Sequence, residues 1–238
     1  MAADATFESI APTPELSPVR RYVILAVIIL SVTLYSTSIL IVAAVLPQLQ
    51  GAMSATPDEI SWTMTFNILA TAVMTPLTGW MAARFGRRNL LGGSVAIMAV
   101  ATYFCGAATT LESLIFWRIV QGAAGASLPP IGQSVTLNIF PKHQHGMVIG
   151  MYGVGVVMGA FIGPMIGGVM AELYTWRYAF YMLAPIAVFA SIGVMIALPR
   201  THRTQETKLE WTGFLLLSIS IACVQLALSR GERLGWFQ

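Results

Sequence analysis

The stretch that decides the fold is SLIFWRIVQGAAGASLPPIGQSVTLNIF, residues 113–140. At about 1.5 Å of helix rise per residue it is long enough to cross a bilayer. It holds no acidic residue, and its one charge is Arg118. A charge at the centre of a spanning helix costs about 2.5–3.5 kcal/mol even on the gentler insertion scales. Two placements make that cost bearable. Arg118 either faces a polar cavity among small residues, or lies near the outer surface and snorkels to it. Gly122, Gly125 and Pro129 follow it at steps of four, three and four, on the side of the helix that carries small residues.

The surrounding chain is built for the same environment. Of its 238 residues 56% are hydrophobic and 10% charged, whereas a soluble domain carries charge at about a quarter of its positions. The fold class expected is therefore an all-α membrane protein. The net charge of +3 does not indicate nucleic acid, because the basic residues do not form one patch. They sit in short loops between apolar segments, where they report topology.

Seven stretches have the length and composition of spanning helices: about 22–47, 60–82, 89–109, 113–139, 146–171, 178–198 and 211–229. Strict alternation places Arg20, Arg21, Arg84, Arg87, Arg88, Lys142, Arg200, Arg203 and Lys208 on one side of the membrane. Arg177, Arg230 and Arg233 fall on the other. Lys and Arg favour the cytoplasm, so the N-terminus is expected inside and the C-terminus outside. The run 22–46 is too long for a secretory signal core and reads as a retained first span. Residues 1–20 read as a flexible cytoplasmic tail, 21–199 as a six-helix unit, 200–210 as a cytoplasmic linker, 211–229 as a seventh span and 230–238 as an external end.

Outside the tail, Asp and Glu are confined to loops and segment ends, and His143, His145 and His202 lie in cytoplasmic loops. His143 and His145 have a ligand-like spacing, but two ligands in a solvated loop make a weak metal site, so no metal and no cofactor are expected. Cys105 and Cys223 stand alone in separate apolar stretches and read as small buried hydrophobes. No segment pairs a nucleophile with a base, which argues against an enzyme. Trp62, Phe66, Trp117 and Tyr152 either line an apolar cavity or serve packing and the interface.

Three motifs go beyond composition. GWMAARFGRRNLL, residues 79–91, joins the second and third spans. Its Gly79 permits close helix approach, Gly86 suits a tight turn, and Arg84, Arg87 and Arg88 can bond open carbonyls or acidic neighbours. The fifth span, GVVMGAFIGPMIGG, spaces Gly155, Gly159, Gly163 and Gly167 four apart. This makes a small-residue stripe for close packing, and Pro164 is a place to bend. Gly168 completes the run, and Arg118 is followed after two residues by Gln121 and Gly122.

The first motif resembles the loop signature of the major facilitator superfamily, with Ala83 where that family has Asp. The second resembles its antiporter signature in every defined position from Gly159 to Gly168, and the third its fourth-helix Arg-x-x-Gln-Gly. DEISWTMTFNILATAVMTPLTGW and WRYAFYMLAPIAV are similar to regions of multidrug exporters. LEWTGFLLLSISIACVQLALSRGERLGWF is similar to the linker and extra helix of the fourteen-helix drug/proton antiporter branch. Two departures stand out: Ser38 where relatives often carry Asp in the first helix, and Leu183 where they carry Asn.

The resemblance implies the six-helix N-terminal half of a major facilitator fold plus one extra transmembrane helix. It also implies a transporter that exchanges protons for lipophilic small molecules across the cell inner membrane. Arg118 and Gln121 would face the pathway and serve proton coupling. The glycine-rich fifth helix would seal the pathway, and the loop 79–91 would gate it. The partners implied are the lipid bilayer, the lipophilic substrate, a second transporter half or another chain, and a periplasmic adaptor, with no nucleic acid. The alternative is a non-transporting membrane fragment, or an interaction partner of a full-length transporter.

Overall fold

The structure, a computed structural model, describes residues 17–200 and 210–231. Most of the expected tail, the linker 201–209 and the external end 232–238 lie outside the described residues. Every regular element among those described is helical.

Helix α1 (Pro18–Met53) opens with proline in its first turn, and the Ser17 hydroxyl accepts from the Arg20 amide at 3.4 Å. It closes at Ser54 in the left-handed region (φ 49°), whose amide returns to the Gln50 and Gly51 carbonyls. Thr56 and Glu59 then form a reciprocal capping box, at 2.8 and 3.2 Å, that starts α2 (Pro57–Met74). One 3-10 turn carries α2 into α3 (Thr78–Phe85). Gly86, at φ 82°, ends α3 and begins α4 (Arg87–Ala107). A positive φ there suits glycine because a Cβ would clash with the backbone.

The remaining helices are α5 (Leu111–Gly125), α6 (Leu128–Ile139), α7 (His145–Leu173), α8 (Trp176–Ala197) and α9 (Trp211–Gly231). Among the described residues, five continuous helical segments are long and apolar enough to span a membrane: Pro18–Met53, Pro57–Phe85, Arg87–Ala107, Lys142–Leu173 and Trp176–Ala197. The expected fourth span, 113–139, is not one helix. Pro129 and Pro130 have no N–H to donate to the carbonyls of Gly125 and Ala126, and each ring crowds the preceding turn. The chain therefore leaves the helix after Gly125 and re-enters at Leu128 with proline in the first turn. At the break the Ser127 hydroxyl donates to Ser94 Oγ at 2.7 Å, and the Tyr152 hydroxyl donates to the Pro129 carbonyl at 2.9 Å.

Helix α1 is the spine of the bundle, packed between α7 and α8, while α4 lies on α8 and α2 on α5. Its core side chains, Ile24, Ile28, Val32, Ile41 and Val45, are buried with Val95 and Met98 of α4, Leu114 of α5, and Phe180 and Leu183 of α8. The outer surface is also apolar: Phe161, Met165, Phe189 and Ile196 are each about 70% exposed. An apolar core inside an apolar coat is the surface of a membrane bundle rather than of a water-soluble one. Helix α9 packs along α2.

Candidate functional site

Arg118 lies on α5, whose N-terminus is set by Thr110 accepting from the Ser113 amide at 3.3 Å. The arginine is fully buried, at 0% exposure, so it does not snorkel to the surface. Its guanidinium donates to the Ser38 carbonyl at 2.9 Å, to the Ile39 carbonyl at 3.5 Å, and to Gln121 Oε1. Gln121 is itself buried, and its amide donates to Thr102 Oγ1 at 2.6 Å. The Thr102 hydroxyl turns back to the Met98 carbonyl at 2.7 Å. The Phe180 ring lies 5.9 Å from the guanidinium carbon, within reach of a cation–π contact. One side chain thus ties α5 to α1 and, through Gln121, to α4.

This shell is made of neutral oxygens. The described carboxylates, Asp58, Glu59, Glu112, Glu172 and Glu210, all stand at or near helix ends. At the turn where the resembled family carries Asp, Ser38 offers its backbone carbonyl to Arg118 and turns its hydroxyl to the Tyr35 carbonyl at 2.8 Å. The charge is therefore met by dipoles and not by an ion. Nε of Arg118 is buried without an acceptor. Burying an ion costs several kcal/mol, and hydrogen bonds to charged groups return about 1.5–3 kcal/mol each. A group held on those terms is expensive to the fold.

The backbone of α5 is clamped from α2. Asn67 Nδ2 donates to the Arg118 carbonyl at 2.8 Å. The Thr71 hydroxyl lies 3.0 Å from both the Gly122 and the Asn67 carbonyls. Gly122 is required there, because a Cβ would collide with the Asn67 carbonyl oxygen. Gly125 likewise seats against the Tyr35 ring.

The glycine stripe of α7 is the second element, and it packs on α1. A Cβ at Gly163 would sit 2.8 Å from the Thr37 carbonyl oxygen, and one at Gly167 would sit 3.0 Å from that of Ile41. Gly155 and Gly159 meet Ile29 and Thr33 as closely. Across the same seam the Thr33 hydroxyl donates to the Gly155 carbonyl at 2.8 Å, Thr37 to Gly159 at 3.2 Å, and the Gln48 amide to Ala171 at 2.5 Å. Gly168 points into open space and is not part of the seam, and Pro164 lies within an unbroken α7. Thr33, Thr37, Gln48, Asn67, Thr71 and Thr102 were not singled out from the sequence. The available signal was polar residues spaced by four within apolar spans, as in Thr33–Thr37 and Asn67–Thr71.

In the loop 79–91 the glycines divide. Gly86 makes the turn, whereas Gly79 faces open space, with no close helix approach there among the described residues. The Arg84 guanidinium lies over the Trp80 ring at 5.5 Å. Arg87 and Arg88 begin α4 directly after the C-terminus of α3 at Phe85 and Gly86, so they stand at the junction of the two helices. Of the aromatics considered, Trp117 stacks on Phe104 at 4.4 Å and Trp62 on Phe66 at 5.2 Å, while Tyr152 is spent on the break in the fourth span. Leu183 is part of the buried core.

Comparison with known proteins agrees with this architecture. The Major Facilitator Superfamily profile matches residues 26–236. The multidrug export protein EmrB of Escherichia coli K12 is 32% identical over 193 residues, covering 81% of this chain and 38% of the relative. The putative multidrug resistance protein MdtD of Klebsiella pneumoniae MGH 78578 is 29% identical over 195 residues, covering 82% of this chain and 41% of the relative. The chain thus spans about two fifths of the curated relatives it matches. A crystal structure of a bacterial homologue of the human lysosomal transporter Spinster, inward-facing and unoccupied, superposes with a TM-score of 0.67 at 18% identity. It covers 83% of this chain and 47% of the other. With a profile match over most of its length and the helical fold to go with it, the chain belongs to the major facilitator superfamily.

Proposed function

We propose that this chain forms the N-terminal half of a proton-coupled exporter of lipophilic compounds. In this reading it is set in the inner membrane with its N-terminus in the cytoplasm. The observation that carries the proposal is the buried Arg118 with its shell of carbonyl and amide oxygens. A charge held at that cost in a bundle otherwise packed by glycine and aliphatic side chains is kept for work. The similarity to multidrug exporters supplies the substrate class.

In this reading the α1–α7 seam and the α2–α5 clamp make two stiff pairs, with Arg118 as the polar joint between them. The half rocks as a body against a second half, and the substrate passes between them. The proton acceptor is a carboxylate that the second half contributes, because the groups around Arg118 are carbonyls, amides and hydroxyls. Loop 79–91 is the gate on the cytoplasmic face, and a periplasmic adaptor extends the path outward.

The test is efflux of a fluorescent lipophilic compound from cells lacking their own pumps. The chain is expressed alone and together with the C-terminal half of a relative. The proposal expects efflux from the pair that collapses when the proton gradient is discharged. No efflux from an inserted, stable pair would support a non-transporting membrane protein instead.

A further inference from the structure

Basic residues crowd one end of the bundle. Arg20 and Arg21 lie in the first turn of α1, Arg87 and Arg88 begin α4, Arg84 is in the last turn of α3, and Lys142 precedes α7. These elements meet. Arg20 reaches the Ala197 carbonyl of α8 at 3.5 Å, the Ser191 hydroxyl of α8 donates to Gly92 of α4 at 2.9 Å, and the Tyr22 ring lies 5.5 Å from that of Phe140. The C-terminal part of α8 thus lies between the N-termini of α1 and α4. Among the described residues Glu210 is the one carboxylate at this end, while Asp58, Glu59, Glu112 and Glu172 stand at the other.

The charges at this end are poorly satisfied by the protein. Helix N-termini carry partial positive charge and favour anions. Both α1 and α4 lack an acidic residue in the first turn, and α4 has no side-chain cap. Each begins instead with paired arginines, which repel one another and the helix dipole. Arg21 and Arg88 are half-buried, and the Nε of each is buried without an acceptor. The depth is set by their neighbours: Val19, Tyr22 and Val23 beside Arg21 are 74%, 45% and 48% exposed. Donors flanked by exposed apolar side chains sit at the level of lipid headgroups rather than out in water.

We propose that this end is a binding surface for the phosphodiester headgroups of anionic phospholipids, with Arg21, Arg87 and Arg88 as the donors. Headgroup phosphates here neutralise the paired arginines, accept from their terminal guanidinium N–H groups, and supply, one at each helix, the anion that each N-terminus lacks. The acyl chains then lie along the apolar outer face. This surface depends on the membrane fold and not on the export activity proposed above, so the two stand or fall separately.

The full chain, purified into nanodiscs of phosphatidylcholine with a graded fraction of phosphatidylglycerol, tests this by native mass spectrometry of retained lipid. Phosphatidylglycerol is expected to be retained in preference to phosphatidylcholine. Retention should weaken about fivefold for each arginine neutralised in Arg88→Gln alone and in the triple variant Arg21→Gln, Arg87→Gln, Arg88→Gln. Arg177→Gln, at the opposite end, should change nothing. Helical content of each variant is checked by circular dichroism, and the single variant carries the test if the triple does not fold. Equal retention of the two lipids by the parent chain, or unchanged preference in folded Arg88→Gln, overturns the proposal. So does displacement of the lipid by inorganic phosphate, which would assign the donors to a free anion.

Discussion

Arg118 sets two demands against each other. Its burial is costly to folding, and its oxygen shell returns only part of that cost. Replacing a buried ion pair with apolar side chains of similar volume is often neutral or stabilising by about 1–4 kcal/mol, and Arg118 has no carboxylate partner to leave behind. Arg118→Met is therefore expected to keep or raise the thermal midpoint in detergent, and a lower midpoint would show that the arginine is a structural post. Gln121→Leu has the opposite expectation. It leaves the guanidinium with only the α1 carbonyls and removes the donor to Thr102 Oγ1, so it should cost about 1–3 kcal/mol and lower the midpoint. The sequence marked Arg118 and Gln121 as a pair through their spacing, but it could not show what surrounds them. The partners on α1 are backbone carbonyls, which no side-chain pattern encodes, and Ser38 contributes through its carbonyl where a carboxylate was the natural thing to look for.

At the scale of elements, the α1–α7 seam makes the sharpest predictions. Gly159→Ala drives a Cβ into the Thr33 carbonyl and must part the helices; overpacking of this kind costs about 1–3 kcal/mol. Gly168→Ala, nine residues on in the same motif, meets nothing within 4 Å and should fall within about 0.5 kcal/mol of the parent. Denaturant titration of both proteins in micelles separates them, and equal destabilisation would contradict the packing described. Thr37→Val should cost about 0.6–1.7 kcal/mol, the range of hydrogen bonds between membrane helices.

The glycine period was readable because four-residue spacing repeats through Gly155, Gly159, Gly163 and Gly167. Which helix it grips was not readable, since the hydroxyls of α1 at Ser31, Thr33, Ser36, Thr37 and Ser38 do not name the helix they face. The break in the fourth span was legible in Pro129–Pro130 but is hidden by hydropathy alone, which runs through it. Restoring the N–H groups in Pro129→Ala with Pro130→Ala should let α5 run into α6, seen as slowed hydrogen exchange of the new amides. Fast exchange there would show that the break has another cause.

For the whole molecule, charge is segregated between the two ends, with most of the described arginines at one and most of the described carboxylates at the other. The positive-inside bias then predicts Lys142 in the cytoplasm and Ser54 outside. In a background with Cys105 and Cys223 replaced, a membrane-impermeant maleimide applied to intact cells should label Ser54→Cys and spare Lys142→Cys. The reverse pattern would invert the topology. Span order and loop charge were legible from composition because the bilayer imposes length and polarity on every segment. The packing of α9 along α2 was not, because a lipid-facing helix carries no pattern naming its neighbour. In the function proposed above, Arg118 is retained for transport and not for the fold. The measurement that tests it most directly is efflux by the chain paired with a complementary half, parent against Arg118→Met, with insertion and thermal midpoint measured on the same preparations. The expected result is efflux lost while the midpoint holds or rises. Efflux at the parent rate, or a loss that follows only from unfolding, would contradict it.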